Sequence, residues 1–590
     1  MMRTTQFGKW EVNPGTGWIR LSGQKERKHV RPKLMDVLML LVQAEGKVVS
    51  RRELLKQGWP ETMASDESLT RCIADLRKLL GDDGTNTNLI ETVPKRGYRI
   101  RRSLVSENPL RIHDFSANEK NEKSAIVVLP FSSEDSSQQL EVLAEGISEE
   151  ALSLLSRVSD LRVISKSSAL RFKGDHDYSK ITRLLNVDFI LNGSVSGSKI
   201  DIRLDLNLID TRSQEEIWTG SINCLAKEIS ALPEKVALTI IEQLDISNTQ
   251  DFPPTKTVNP QVYMLMLQAR HLANLVTPEG WRQSNEYFKN VLEIDPEHAD
   301  AWAGMAKNYA LEACDAQKTF AEGLTLARAS VNRALEIDPH SSMALSMDGW
   351  LQLYDSFDHQ AAAKSFENAL RLDPYNTDTL LEISNLARAV GQFNLATRIG
   401  EFVVSRDPVN AKAYRYLGIC HRLEGNADLA IKAFTTALAL SPGMTSGHVL
   451  LGFVLNEMGE SETALAEVEK EPSELWRLVG RAIVYFTLGM KDRSDIALQK
   501  LITKHKRSTS YNIAYVEAFR GNTDQAFLWL QKAKKYRDPG IGHFVSEKFF
   551  APLHQDERWS ILLEQTGQSP EKLAAIRIDI KVIKGSEPFN

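Results

Sequence analysis

Four cysteines in 590 residues, Cys72, Cys224, Cys314 and Cys420, stand apart with no Cys-x-x-Cys pair among them. That excludes a disulfide-stapled fold and a thiolate metal knuckle, and it fits a reducing compartment. Long apolar runs are missing as well: Ala125 to Phe131 and Val449 to Leu455 are among the longest, far short of the roughly 20 residues that a spanning helix needs. The amino terminus has no apolar signal core, so no membrane is expected and the expected location is the cytoplasm. Catalytic patterns are equally scarce. There is no HExxH, no nucleophile elbow and no GxGxxG, and the 12 histidines are scattered; no enzymatic activity, no metal and no cofactor are expected. The one dense polar triplet, Asp175-His176-Asp177 beside Gly174, reads as turn chemistry. Gly193-Ser-Val-Ser-Gly197 lacks the Lys-Ser/Thr of a phosphate loop and reads as a hairpin turn between two strands.

What is present is a globular composition, 42% hydrophobic and 25% charged, over a length that calls for three or more domains. The net charge of −5 hides an asymmetry. Residues 1–102 carry 20 Lys/Arg against 12 Asp/Glu, a net of +8, whereas residues 103–590 carry 52 against 65, a net of −13. A local basic patch attracts nucleic acid whatever the total charge, and the acidic remainder argues against a second such surface.

Within the basic segment, Ser65 to Leu80 places Leu69, Cys72, Ile73, Leu76, Leu79 and Leu80 on one side of a helix. Glu67, Arg71, Ala74 and Lys78 fall opposite, with Thr70 and Arg77 on the flanks. Such a face suits a major groove: Arg forks onto guanine, Lys neutralises phosphate, and Ala or Thr permits close approach to thymine methyls. Ahead of it, Pro32 opens a helix through Leu34, Val37, Leu38 and Leu41 that Gly46 can close, and Ser50 with Glu53 has capping-box spacing for a second. Phe7 to Val12, Trp18 to Leu21 and Lys28 to Val30 read as strands. Leu89 to Val93 and Gly97 to Ile100 read as a hairpin with Pro94-Lys95-Arg96 at its tip.

The joint pattern LRKLLGD followed by ETVPKRGYRI resembles the OmpR/PhoB-type winged helix-turn-helix, and within it the CadC/HilA-like regulators, over residues 1 to about 102. The resemblance implies a third helix in the major groove of double-stranded DNA and a wing near the adjacent minor groove. It makes Arg71, Ala74 and Asp75 candidate base-facing residues, and Thr70, Arg77, Lys78, Thr92, Lys95, Arg96 and Arg99 candidate phosphate or wing contacts. Asp75 is a poor partner for phosphate and has i,i+4 spacing to hold Arg71 instead. Tyr98 is expected to pack under the wing. The loop Trp59 to Ala64 would face RNA polymerase, as in related activators.

Ser103 to Lys123 and Ser247 to Pro260 read as linkers. Between them, Ala125 to Phe131, Leu161 to Ile164, Asp188 to Val195, Ile200 to Asp210 and Glu215 to Ile222 have strand character, while Glu145 to Leu155, Tyr178 to Leu185 and Glu228 to Leu244 have helical character. IVVLPF, AEGISEEALSLLS, LRVISKSSALRFK and VDFILNGSVS resemble the TolB amino-terminal-like domain, which implies an α/β coupling or partner-binding module over 124–246.

The remainder repeats. Prolines at 296, 339, 374, 408 and 442 follow the phrases LEIDP, LEIDP, LRLDP, SRDP and LALSP, and the later intervals settle at 34, the tetratricopeptide spacing. Ala430, Phe434 and Ala437, like Ala362, Phe366 and Ala369, mark close helix crossings. An insertion is expected near Asp315 to Gly323. Residues 261–545 then form an all-α solenoid with a groove for a protein or peptide, and 546–590 a cap and tail. The expectation is a multidomain, one-component bacterial transcription regulator, with homo-oligomerisation left open. The alternatives are an interaction scaffold whose winged helix docks protein, and a nucleotide sensor built on the middle domain.

Overall fold

Local sequence signals account for most of the element boundaries in the computed structural model. It describes residues 5–7, 10–13, 17–21, 27–44, 48–58, 66–80, 90–93, 97–100, 124–134, 137–158, 160–197, 201–246, 259–275, 277–314 and 319–580. The chain forms two units, Met1–Arg111 and Ile112–Asn590.

The first unit opens with β1 (Thr5–Phe7), β2 (Trp10–Asn13), β3 (Trp18–Leu21) and β4 (Lys28–His29), an antiparallel sheet in that order. The single strand expected over Phe7 to Val12 is thus two, because Phe7 pairs with Trp10 across a reversal. Then come α1 (Pro32–Gln43), β5 (Val49–Ser50), α2 (Arg51–Gly58), α3 (Asp66–Leu80), β6 (Ile90–Val93) and β7 (Gly97–Ile100), with the second sheet ordered β5-β7-β6. Pro32 occupies the first turn of α1, where its missing N–H costs nothing. The Ser50 hydroxyl accepts from the Glu53 N–H at 3.2 Å and so starts α2. One core joins Val12 and Ile19 to Leu38, Leu54, Leu69 and Tyr98.

In the second unit, β8 (Ser124–Val128), β9 (Ser132–Ser133), α4 (Gln138–Leu155), β10 (Leu161–Val163), α5 (Lys166–Leu170), α6 (Tyr178–Leu185), β11 (Phe189–Gly197), β12 (Asp201–Asp210), β13 (Glu215–Leu225) and α7 (Leu232–Gln243) build a mixed α/β layer. The sheet runs β10-β8-β11-β12-β13, parallel through its first three strands and antiparallel through the rest. Ile202, Leu204, Leu206 and Leu208 alternate onto the covered face. Gly193 to Gly197 belongs to β11, paired with Leu206 to Ile202, so the hairpin turn expected there is a correction: the glycines extend the ladder. A Cβ on Gly193 would lie 3.0 Å from the Asp205 carbonyl and from Phe131, so close packing selects the glycine. Asp177 caps α6 through the Lys180 N–H at 2.9 Å, and Asp175 pairs with Lys180 at 2.7 Å.

Eight helix pairs follow: α8 and α9 (Pro260–Asn274, Pro278–Ile294), α10 and α11 (Ala299–Cys314, Phe320–Ile337), α12 and α13 (Ser342–Leu351, His359–Leu372), α14 and α15 (Thr377–Ala389, Phe393–Arg406), α16 and α17 (Ala411–Glu424, Ala427–Leu440), α18 and α19 (Gly447–Glu457, Ser461–Glu469), α20 and α21 (Glu474–Thr487, Lys491–His505), and α22 and α23 (Ser510–Phe519, Thr523–Lys535). The recurring phrases end one helix and begin the next. Asp373 and Asp407 close α13 and α15, Pro374 and Pro408 cannot continue them, and Asn376 and Asn410 then cap α14 and α16, each at 3.0 Å. Of the expected insertion, residues 315–318 lie outside the described residues, while Thr319 and Glu322 form a capping box and Gly323 sits inside α11. The chain ends in two 3-10 segments, Pro539–Ser546 and Lys548–Leu553, then α24 (Glu557–Gln565) and α25 (Pro570–Ala575).

The mixed layer packs on the solenoid. Tyr263 and Leu267 of α8 enter its core. Arg162 donates to the Ser405 carbonyl at 3.3 Å and Arg171 to that of Leu440 at 2.7 Å. The buried Asp407 carboxylate accepts from Ser167 at 3.1 Å, from Asn410 at 2.7 Å and from Ser165. Among the described residues, no helix is long and apolar enough to cross a membrane.

Candidate nucleic-acid interface

Helix α3 is oriented by its own periodicity: Leu69, Cys72, Ile73, Leu76 and Leu80 are buried, and Thr70, Arg71, Ala74, Asp75 and Lys78 are exposed on the other side. Asp66 and Glu67 in its first turn and Arg77 and Lys78 in its last complement the helix dipole. Burial, with Asp75 and Asp36 nearby, pushes the Cys72 thiol up to about 11, so Cys72 is a packing residue and not a nucleophile.

The sequence-derived site residues separate into three groups. Arg71, Ala74 and Lys78 share one open face with Thr70, whose hydroxyl also donates to the Asp66 carbonyl at 2.8 Å. Asp75 lies on that face too, and no ion pair joins it to Arg71 among the described residues; Arg ahead of Asp is the less favourable order for an i,i+4 pair. The second group makes contacts within the domain. Arg77 donates to the Ile90 carbonyl at 2.7 and 3.1 Å and to the Thr92 hydroxyl at 2.8 Å, tying α3 to β6. Arg99 pairs with Glu91 at 2.8 Å across the wing. Lys95 and Arg96, and the loop Trp59 to Ala64, lie outside the described residues.

Tyr98 is buried beneath the wing, with the Arg51 guanidinium 5.1 Å from its ring centre. The same guanidinium stands 3.9 Å from Asp66. Arg51 therefore links α2, the wing and the start of α3, a role that sequence reasoning missed. The signal was its place directly after the capping Ser50 in a domain of high positive charge.

The solenoid meets its own tail. His359 Nε2 lies 2.8 Å from the Gly542 carbonyl, the Gln392 amide donates to the Ile576 carbonyl at 3.1 Å, and Arg537 Nε donates to Asp355 at 2.7 Å. Arg422, buried, spans Glu457 at 2.6 Å and Glu547 at 3.5 Å. Leu573, Ile576 and Ile580 join the core made by Leu380, Leu386 and Tyr414. Phe549, Phe550 and Trp559 pack on α22 and α23, and the stretch from Leu573 to Ile580 reaches back over earlier helices.

Residues 25–100 match the family described as transcriptional regulatory protein, C terminal, and residues 380–445 match the tetratricopeptide repeat. The chain is 22% identical over 392 residues to the transcriptional regulator HilA of Salmonella typhi, covering 66% of this chain and 68% of that protein. It is 35% identical over 101 residues to the transcriptional activator CadC of Escherichia coli, covering 17% of this chain and 19% of that one. A putative adenylate cyclase 3 of Rhizobium meliloti is 28% identical over 249 residues, covering 40% of this chain and 42% of that protein. The amino-terminal domain is therefore of the OmpR/PhoB type, the helical region carries tetratricopeptide repeats, and the chain is homologous to the HilA and CadC regulators.

Proposed function

We propose that this chain is a one-component bacterial transcription regulator of the cytoplasm that binds promoter DNA through residues 1–102. The observation that carries this reading is the open face of α3, where Arg71, Ala74, Thr70 and Lys78 stand together beside a wing braced by Arg77, within the one basic part of the chain. In it, Arg71 reads a base edge, Lys78 and Thr70 meet phosphate, Lys95 and Arg96 anchor the wing, and the loop Trp59 to Ala64 meets RNA polymerase. Residues 124–246 form a TolB-N-like module. Residues 261–545 receive a protein signal or assemble copies of the chain, 546–590 form the cap and tail, and 103–123 and 247–260 are linkers.

The test is binding of the full chain to promoter fragments across a salt series. Neutralising several phosphates gives a steep loss of affinity with salt. Arg71→Ala is expected to lower the preference for the cognate sequence by about 1–3 kcal/mol, and Lys78→Ala to weaken all sequences alike. Equal, sequence-independent losses from both would overturn the assignment of Arg71.

A further inference from the structure

The sheet of the α/β layer ends in two different ways. At one edge stands β10, three residues long and buried throughout, with Arg162 bonded to the solenoid. At the other stands β13, eleven residues from Glu215 to Leu225, and among the described residues no strand pairs with its outer side. It is also uncovered. Thr219, Ser221, Asn223 and Leu225 are exposed, while Trp218 and Ile222, on the helix-covered face, are only half-buried at the margin of the core.

An open edge of this length is a template for another strand, and proteins blunt such edges with charge, proline or a bulge. In β13 the blunting is confined to the first residues: Glu215, Glu216 and the unpaired Ile217, where the register against β12 shifts. From Trp218 to Leu225 there is no charge and no proline.

What this edge matches is itself. About a two-fold axis through Gly220, normal to the sheet, β13 meets its copy antiparallel, as it meets β12. Trp218 then faces Ile222 of the second copy on the helix-covered side, and Thr219 faces Ser221 of the second copy on the open side. An aromatic against a β-branched residue and a Thr against a Ser are two of the cross-strand pairings that stabilise sheets. The hydroxyls are in the state this needs. Ser221 donates to Asp205 and accepts from Arg203 at 3.0 Å, which leaves it one lone pair; Thr219 makes no side-chain hydrogen bond among the described residues and has its proton to give. The Trp218 ring lies over Gly220, where a Cβ would come within 2.2 Å of it, so two indoles and two isoleucines close one apolar cluster at the axis. Charge agrees as well. Glu215 and Glu216 arrive at the end of the partner strand, which is followed by Lys227, its side chain 71% exposed.

We propose that two copies of this chain associate through β13, antiparallel about Gly220, and continue one sheet across the axis. The contact is of the small class, below the ~1,200 Å² of standard complexes, so copies exchange with concentration. This deepens the assembly part of the proposed function by giving it to the α/β module and leaving the repeats to the signal. The pairing does not depend on DNA binding, but it brings two copies of residues 1–102 to one DNA at high effective concentration.

The experiment is sedimentation velocity of the full chain over a concentration series, with hydrogen exchange measured at both ends of the series. The mass is expected to rise from one copy to two at micromolar concentration, and the amides from Trp218 to Ile222 to gain protection as it does. Thr219→Asp sets a carboxylate against Ser221 and Asp205 of the second copy; because the axis repeats the contact, dimerisation should weaken about tenfold with an unchanged far-UV spectrum. The register has its own check. Directly opposed residues are close enough for a disulfide, so Thr219→Cys with Ser221→Cys in one chain should yield an oxidised dimer, and Ser221→Cys with Asn223→Cys should yield no more than the wild type. Should Thr219→Asp fail to fold, the cysteine pairs decide. A monomer at up to about 0.1 mM, where a micromolar complex is nearly full, a dimer whose β13 amides stay unprotected, or cross-linking only in the second cysteine pair would each overturn the proposal. A chain that dimerises in this way but binds no promoter sinks the regulator reading and leaves the pairing standing.

Discussion

Arg77 shows what a periodicity that locates a face leaves open at its edges. On a helix read at 100° per residue, Arg77 lies on the flank, where a phosphate contact and an inward contact are equally available. Its fork is satisfied by the Ile90 carbonyl and the Thr92 hydroxyl, a geometry that a lysine ammonium cannot reproduce. Arg77→Ala should therefore cost about 1.5–3 kcal/mol, the range for hydrogen bonds to a charged group, and speed amide exchange through Ile90 to Val93. Arg77→Lys should restore only part of the protection. Weakened DNA binding with wild-type exchange in that strand would assign Arg77 to phosphate instead. Thr92 accepts from Arg77 while staying exposed, and Arg99 pairs with Glu91 across the wing.

At the scale of elements, the repeats were legible because their signals are local and redundant. An Asp-Pro or Ser-Pro pair stops one helix, an Asn at 376 and 410 or a Ser at 341 caps the next, and small residues fall at fixed distances before the proline. Ala430, Phe434 and Ala437, and likewise Ala362, Phe366 and Ala369, are buried as that spacing implies. Their partners across the crossing are glycines: a Cβ on Gly418 would lie 2.6 Å from the Phe434 ring, and one on Gly349 2.7 Å from that of Phe366. Gly418→Ala should then destabilise the solenoid by about 1–3 kcal/mol through overpacking, and Phe434→Leu in the same chain should recover part of the loss. Additive losses in chemical denaturation would show that the two positions are not coupled. Where the signals are weaker, sequence reasoning slipped. Phe7 and Trp10 are three residues apart, so Gly8-Lys9 breaks the alternation that a single strand needs, and Gly193 to Gly197 carries turn residues that the sheet uses for close approach. The segment Ala226–Ala231 is a 3-10 turn ahead of α7 and not its first turn, because Pro233 sets the helix start at Leu232. On α3 the sequence placed the exposed face correctly, but which side chains are already committed to the wing depends on where β6 and β7 lie, and no window of one helix contains that.

For the whole molecule, the decisive contacts join residues far apart in sequence. His359 meets Gly542, Gln392 meets Ile576, and Arg422 meets Glu547; no periodicity within a repeat foretells them. The tail supplies apolar side chains that helices α12 to α17 would otherwise leave facing water, Leu573, Ile576 and Ile580 among them. Burying one such side chain contributes about 1.5–3 kcal/mol, offset in part by the ordering of its backbone. Ending the chain after Ser569 should consequently lower the thermal midpoint of the helical region and increase binding of an apolar dye, while residues 1–102, in the other unit, keep their DNA affinity. An unchanged midpoint and no added dye binding would mean that the tail adds nothing to the fold. If the midpoint falls as expected, a partner of these repeats must either use surface that the tail leaves open or compete with a segment that is always present at high effective concentration, and the second route makes release of the tail a measurable step in binding.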